Sequence, residues 1–103
     1  MKGLTILMGL MAGFVSGQTP TGSISGTVAD ASGAQVPGAT VRLANTNTHE
    51  TKSTTTSSTG TYLFPIVAVG DYFLEAEASG FKIQKRTGVT LDVNQNARID
   101  FTL

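Results

Sequence analysis

Short stretches of alternating apolar and polar residues run along most of this chain, and such alternation is typical of half-buried β-strands. Beyond residue 17 the sequence has no stretch with the period of an amphipathic helix. Turn-forming residues separate the stretches at roughly the 8–12-residue spacing of β-sandwiches. We therefore predict about seven short strands. The residues expected to face the core are Ile24, Gly26, Val28, Ala39, Val41, Leu43, Tyr62, Phe64, Tyr72, Leu74, Ala76, Ala78, Ile99, Phe101 and Leu103.

Residues 30–43, DASGAQVPGATVRL, raise the question of whether a glycine-rich loop serves chemistry or only turns the chain. Asp30 can accept hydrogen bonds from backbone N–H groups two residues on, which forms an Asx-turn. Gly33 supplies a positive φ, and Pro37-Gly38 suits the two central positions of a type II turn. Alternation resumes directly afterwards, so we interpret the stretch as strand, tight connection and strand.

Three further features place strands at edges or ends. The polar stretch 50–56 is rich in β-branched threonine and is predicted to form an edge or solvent-covered strand. Pro65 cannot donate a ladder hydrogen bond, so the strand around it either ends there or lies at an edge. Residues 94–96, Asn-Gln-Asn, are predicted to form a turn before one last strand that runs to Leu103.

The amino-terminal residues follow a different pattern. Lys2 precedes an apolar run at 3–15 that small residues close, which matches the tripartite secretory signal peptide. The run has 13 residues, fewer than the roughly 20 that span a bilayer. We predict a signal peptide over 1–17, a flexible leader over 18–22 and a single β-sandwich domain over 23–103, complete at its last strand.

Composition argues against several classes of function. Formal net charge is zero and 14% of residues are charged, so no basic excess neutralises phosphates, and nucleic-acid binding is not expected. The chain has no cysteine, so disulfides do not contribute to the domain. Lys82, Lys85 and Arg86 are close in sequence and are interpreted as a small positive patch on a solvated strand face.

Residue types that carry catalysis are present, but not in a recognisable arrangement. His49 is the single histidine and cannot complete a zinc site, which needs three or four ligands. No Gly-x-Ser-x-Gly sequence supplies a nucleophile elbow. Glu75 and Glu77 share one side of a predicted strand, where a carboxylate pair more often keeps a sheet face soluble than transfers protons. We predict a protein that is not an enzyme, with no catalytic, cofactor-binding or metal-binding residues.

Two ordered motifs resemble those of the carboxypeptidase regulatory-like domain. The first joins GTVADASG at 26–33 to VPGATVRL at 36–43, and the second is GTYLFPIVAVGDYFLEAEASGF at 60–81. The closing segment 89–103 is similar as well, so the resemblance covers nearly all of residues 22–103. It implies an all-β, seven-stranded sandwich of the transthyretin-like (prealbumin-like), carbohydrate-binding-like fold.

With its predicted signal peptide, the chain also resembles the amino-terminal domain of Oar-like TonB-dependent outer-membrane receptors. It would be either a stand-alone module or a fragment that lacks the receptor's plug and barrel. The resemblance implies an exported, non-catalytic interaction or scaffold module in the bacterial periplasm or at the outer membrane. Expected partners are envelope proteins or the receptor's plug and barrel domains. A carbohydrate-binding envelope module, with glycans as partners, is the alternative.

The outward side of the strand around residues 72–78 is the candidate interaction surface. Phe73, Glu75 and Glu77 lie on that side, and an exposed sheet edge would complete the surface. Glycan binding needs aromatic platforms in a groove. Phe73 is the one tyrosine or phenylalanine in the outward phase of its strand, and the chain has no tryptophan. The sequence therefore favours protein contacts over glycan binding, and it predicts no metal partner.

Overall fold

The computed structural model of the protein describes residues 19–103, so the predicted signal peptide at 1–17 lies outside the described residues. The described part is all-β: it contains no helix and forms two four-stranded sheets. The prediction of an all-β sandwich is confirmed, but the count of seven strands is wrong, because residues 19–103 form eight. The strands are β1 Thr21–Ala29, β2 Thr40–Asn45, β3 Thr51–Thr55, β4 Thr61–Ala68, β5 Gly70–Glu77, β6 Gln84–Leu91, β7 Asn96–Arg98 and β8 Phe101–Thr102.

The first sheet is built around β1 and the second around the β2–β5 pair. In the first sheet β1 pairs with β4 on one side and with β7 and β8 on the other, and the β7 and β8 pairings are parallel. The second sheet has the order β3-β2-β5-β6 and is antiparallel throughout. The inward faces of the two sheets together bury one apolar core.

The eighth strand arises because the predicted last strand is divided in two. The N–H of Ile99 donates to the carbonyl of Ser25 at 2.8 Å, but the N–H of Thr27 donates to the Asp100 carboxylate at 2.9 Å instead of to a backbone carbonyl. Gly26 lies between the acceptor Ser25 and the donor Thr27, and a Cβ placed on it would be 1.8 Å from the Ile99 carbonyl oxygen. The side chain of Asp100 thus replaces one rung of the ladder and separates β7 from β8.

The core follows the predicted alternation. Large aliphatic residues such as Leu43 and Leu74 are fully buried, and each contributes roughly 1.5–3 kcal/mol by burial. Tyr62 donates its hydroxyl to the Ile99 carbonyl, and burial raises the pKa of that phenol. The buried apolar residues are Ile24, Val28, Ala39, Val41, Leu43, Ala44, Tyr62, Phe64, Val67, Tyr72, Leu74, Ala76, Leu91, Ile99 and Phe101, while Ala78 and Leu103 are partly buried against them.

The connection between β1 and β2 is a hydrogen-bonded turn, as the sequence predicted. The Asp30 carboxylate accepts hydrogen bonds from the N–H of Ser32 at 2.9 Å, from its hydroxyl at 2.6 Å and from the N–H of Ala34 at 3.0 Å. These bonds, the Ser32 hydroxyl foremost, hold the pKa of Asp30 below its ordinary value. Gly33 and Gly38 adopt φ values of 89° and 73°. The Asp30 carboxylate therefore bonds to groups of its own loop.

Thr56 holds the far side of the same connection. Its hydroxyl accepts a hydrogen bond from the Ala39 N–H at 2.9 Å and donates one to the Val36 carbonyl at 2.7 Å. Apart from the tyrosines, it is the one buried side chain with a polar group in residues 19–103. These two bonds connect the Pro37-Gly38 turn to the end of β3.

Two strand boundaries refine the predictions. β1 begins at Thr21, inside the predicted flexible leader, because Gly22 pairs with Val67 of β4 and the Ser23 N–H donates to the Gln95 carbonyl at 2.8 Å. The strand around Pro65 continues through the proline and lies at an edge of the first sheet, which is one of the two predicted outcomes. The β1–β4 register shifts beside this proline, so the bulge accommodates it.

Candidate interaction surface

β5 places Phe73, Glu75 and Glu77 on the outer face of the second sheet. They alternate with residues of the same strand that are buried in the core, and all three are half-buried. Their directly paired neighbours on β2 are Ala44, Arg42 and Thr40, in that order. The strand alternation that builds the core therefore also aligns these three side chains in one row on the opposite face.

Arg42 joins the two carboxylates. Its Nη1 lies 2.7 Å from Oε1 of Glu77, and its Nε lies 3.7 Å from Oε1 of Glu75. The hydrogen bond to Glu77 is the main cause that raises the pKa of the Arg42 guanidinium. Side chains at about a third exposure keep much of their hydration, so such pairs add little net stability. Their consequence is geometric, because one guanidinium group contacts both carboxylates.

Lys85 covers the aromatic end of the row. Its Nζ lies 4.4 Å from the centroid of the Phe73 ring, and its backbone pairs with Glu75. A lysine over an aromatic face is stabilised by the ring's quadrupole by roughly 0.5–1 kcal/mol at an exposed site. A sugar ring that stacked on the same face of Phe73 would have to displace this ammonium group.

Arg42 and Lys85 are members of the surface that the strand pattern alone did not predict. Arg42 could have been found, because it lies in the outward phase between the buried Val41 and Leu43. Lys85 could not be placed by alternation, since the β5–β6 register shifts between Tyr72 and Leu74. We define the outer-face cluster as these two cations with the three β5 residues, Phe73, Glu75, Glu77, Arg42 and Lys85.

The predicted positive patch of Lys82, Lys85 and Arg86 is wrong as a single patch. Lys85 lies over Phe73, whereas Arg86 donates from Nη2 to the Asp100 carbonyl at 2.9 Å and approaches the Phe101 ring. Consecutive residues of a strand point to opposite faces, so the pair is divided between the two sides of the second sheet.

A second feature lies on the open side of the sandwich, between the edge strands β3 and β4. A cleft of about 260 Å³ opens there over Leu43, Val67 and Tyr72. Lys52 spans its mouth by donating from Nζ to the Ile66 carbonyl at 3.0 Å. Ile66 itself is 68% exposed, the largest exposure among the exposed large apolar side chains of residues 19–103. The cleft is small, and its aromatic floor is buried, so it offers no ring for stacking.

Metal-binding arrangements are absent from the described region. Residues 19–103 contain no group of three or more histidine, cysteine, aspartate or glutamate side chains that could hold an ion. His49 is exposed in the β2–β3 turn, where it adopts a φ of 65° and its N–H donates to the Asn45 carbonyl. Within the same region no helix has the length and apolar character needed to cross a membrane.

Two facing sheets, a core of alternating residues and a hydrogen-bonded β1–β2 connection that crosses from one sheet to the other define a β-sandwich of the transthyretin-like class. The chain belongs to the carboxypeptidase regulatory-like domain family, whose model matches residues 23–103. No curated protein sequence matches the chain significantly.

Solved structures share the fold at low sequence identity. A candidate carbohydrate-binding protein from Bacteroides uniformis is 20% identical, with a TM-score of 0.65 over 81% of this chain and 41% of that one. Another from Pseudomonas aeruginosa is 16% identical, with a TM-score of 0.58 over 90% of this chain and 96% of that one. The dioxygenase domain of a dioxygenase–carbohydrate-binding fusion from Streptomyces sp. SirexAA-E is 12% identical, with a TM-score of 0.66 over 85% of this chain and 82% of that one. These likenesses concern the fold alone.

Proposed function

We propose that the chain is a non-catalytic interaction module of the bacterial cell envelope that binds proteins through its outer-face cluster and an exposed sheet edge. The observation that carries the proposal is the arrangement around Arg42, which holds Glu75 and Glu77 beside the Phe73–Lys85 pair. A face with an aromatic residue and charges of both signs suits a polar protein surface. The family's description as a regulatory-like domain agrees with a binding role.

Carbohydrate binding is the second candidate, and the neighbours described as candidate carbohydrate-binding proteins favour it. Under this alternative Phe73 stacks on a sugar ring and Glu75 or Glu77 accepts hydrogen bonds from its hydroxyl groups. The position of Lys85 over the ring argues against it. The small cleft beside β3 lacks an open aromatic ring and offers no better glycan site.

A glycan array separates the two candidates. The wild-type protein and Phe73→Ala are applied with Leu63→Ala as the matched control, since Leu63 is an exposed apolar residue of the other sheet. We expect no saturable sugar binding by any of the three. Saturable binding by the wild type and the control that is lost in Phe73→Ala would overturn the protein-binding proposal and establish the glycan site.

The proposed location in the envelope rests on the sequence pattern of residues 1–17. Export with cleavage after Gly17 makes Gln18 the first residue of the mature protein, which mass spectrometry of the envelope fraction can read directly. Full-length protein recovered from the cytoplasm would contradict it.

Attachment to a TonB-dependent receptor is the most specific form of the proposal. It predicts that the coding sequence after Leu103 continues, in frame or after a frameshift, into a plug and a barrel. A downstream region that encodes neither would remove the receptor from the proposal and leave the envelope module.

A further inference from the structure

Among the border strands of the two sheets, β3 (Thr51–Thr55) has the most regular edge. The β1–β4 register shifts beside Pro65, and the β5–β6 register shifts near Gly88, whose φ is 72°. The strands on the other border of the first sheet have only three and two residues. β3 pairs with β2 through five consecutive residues without a shift and contains neither glycine nor proline. Regular edges are templates for an added strand, and bulges or proline interrupt them.

The hydrogen-bonding parity of β3 shows which groups face away from β2. The Thr56 N–H donates to the Ala39 carbonyl at 2.8 Å, and the Asn45 N–H donates to the Glu50 carbonyl at 2.9 Å. In an antiparallel pair alternate residues bond to the same neighbour, so the even-numbered residues of β3 bond to β2. The N–H and C=O groups of Thr51, Ser53 and Thr55 therefore point outward from the sheet edge.

The sequence of β3 is complementary to itself in the antiparallel direction. With a two-fold axis at Ser53, Thr51 faces Thr55 of a second copy and Lys52 faces Thr54, so the two Lys52 residues are diagonal neighbours and do not lie directly opposite one another. The side chains of Thr51, Ser53 and Thr55 lie on the outer face of the sheet and are exposed. Their hydroxyl groups can form favourable pairs across neighbouring strands. We propose that two copies of this chain associate through β3, so that their second sheets form one continuous eight-stranded sheet.

The environment of the edge supports the same partner. Lysine on an edge usually discourages pairing, but Lys52 donates from Nζ to the Ile66 carbonyl of its own chain and is held across the cleft. Lys52 is adjacent to Ser53, so the proposed two-fold axis lies next to the exposed Ile66. In the dimer the two clefts, each lined by Leu43 and Ile66, lie on the same side of the joined sheet. This proposal rests on the proposed function, because it names the partner of the exposed edge.

Single-cysteine variants test the register, since the natural chain has no cysteine. In the proposed dimer Ser53 faces its own copy at roughly 5.5 Å between Cα atoms, within the range of a disulfide. Thr51 is four residues from its own copy along the partner strand, or about 14 Å, which is too far. Mild oxidation of the purified full protein should cross-link Ser53→Cys nearly completely and leave the matched control, Thr51→Cys, monomeric on a non-reducing gel.

Sedimentation of the wild type and of Ser53→Pro provides the second measurement. The proline removes an outward N–H while the bonds from β3 to β2 remain, so the wild type should sediment as a dimer and the folded variant as a monomer. Circular dichroism confirms that the variant is folded, and Ser53→Ala, which keeps the N–H, should remain a dimer. A monomeric wild type, or equal cross-linking of the two cysteine variants, would overturn the proposal. Binding of an envelope protein by a wild type that sediments as a monomer would overturn the dimer alone and keep the proposed function.

Discussion

Gly26 is a residue at which β1 closely approaches the backbone near the end of the chain. An alanine Cβ there would lie 1.8 Å from the Ile99 carbonyl oxygen and 2.9 Å from the Tyr62 hydroxyl. Overpacking of a core typically costs about 1–3 kcal/mol, and here backbone must move as well, so we expect Gly26→Ala to cost about 3 kcal/mol or more. Urea unfolding measures the change, with Ser25→Ala on the same strand as the control. A similar, small effect of both variants would contradict the close approach.

Thr56 tests the hydrogen bonds that hold the β1–β2 connection. Thr56→Val preserves the shape of the side chain but leaves the Ala39 N–H and the Val36 carbonyl without the hydroxyl partner. An unsatisfied buried group costs about 1–3 kcal/mol, which is the expected loss of unfolding free energy. Thr55→Val is the matched control, because Thr55 is exposed on the same segment. Loss of stability in Thr55→Val but not in Thr56→Val would show that the faces of the segment are reversed.

At the scale of the strand, β5 carries both the core and the candidate surface. Tyr72→Ala should cost about 3–5 kcal/mol, because the ring is buried, and Phe101→Ala should cost a similar amount. Phe73→Ala, one residue along, should cost about 1 kcal/mol or less, because its ring is half-buried under Lys85. Thermal and urea unfolding give the values. Equal costs at 72 and 73 would contradict the phase of the strand, since a slip of one residue exchanges the faces.

The strands also show which parts of the fold can be predicted from sequence. The alternation of apolar and polar residues was sufficient to predict β2 and β5, because one side of each strand faces the core and the other faces outward. It failed at the end of the chain, where the Asp100 carboxylate substitutes for a backbone acceptor and divides one strand into two. It also misplaced the start of β1, since the pairing of Gly22 depends on residues far along the chain. Local patterns do not contain such long-range hydrogen bonds.

At the scale of the whole molecule, a carboxylate links the stability of the fold to pH. Burial by itself raises the pKa of Asp100, but hydrogen bonds from Thr27 and Arg98 outweigh it, so the pKa lies below the ordinary 3.8. A carboxyl group with a lowered pKa stabilises the folded state above the pKa of the unfolded chain, and this contribution is lost as pH falls through the folded value. The midpoint temperature of thermal unfolding should therefore decrease when the pH is lowered below about 4.

The substitution Asp100→Asn separates this effect from general acid denaturation. Asp100→Asn should be less stable than the wild type at pH 7 and should lose less stability between pH 5 and pH 2. Asp92→Asn is the control, because its side chain accepts none of the hydrogen bonds found in residues 19–103. The same pH profile in the wild type and Asp100→Asn would show that Asp100 is not the linked group.

The candidate surface was only partly predictable. Strand phase was sufficient to place Phe73, Glu75 and Glu77 on one face, and Arg42 was within reach of the same reasoning. The position of Lys85 over the ring depends on the irregular β5–β6 register, which no local pattern specifies. The identity of the partner depends on the surface of a second molecule, so the sequence of this chain indicates only a class of partner.

The outer-face cluster is the central claim about function, and charge reversal tests it most directly. Photo-crosslinking in the envelope would compare the wild type with Glu75→Lys/Glu77→Lys and with Asp92→Lys, a control that also reverses a carboxylate, in an exposed turn. The proposal predicts one set of cross-linked proteins for the wild type and the control, reduced at least tenfold in the double variant and weakened by salt. Capture by the double variant that equals that of the wild type would contradict the assignment of this face.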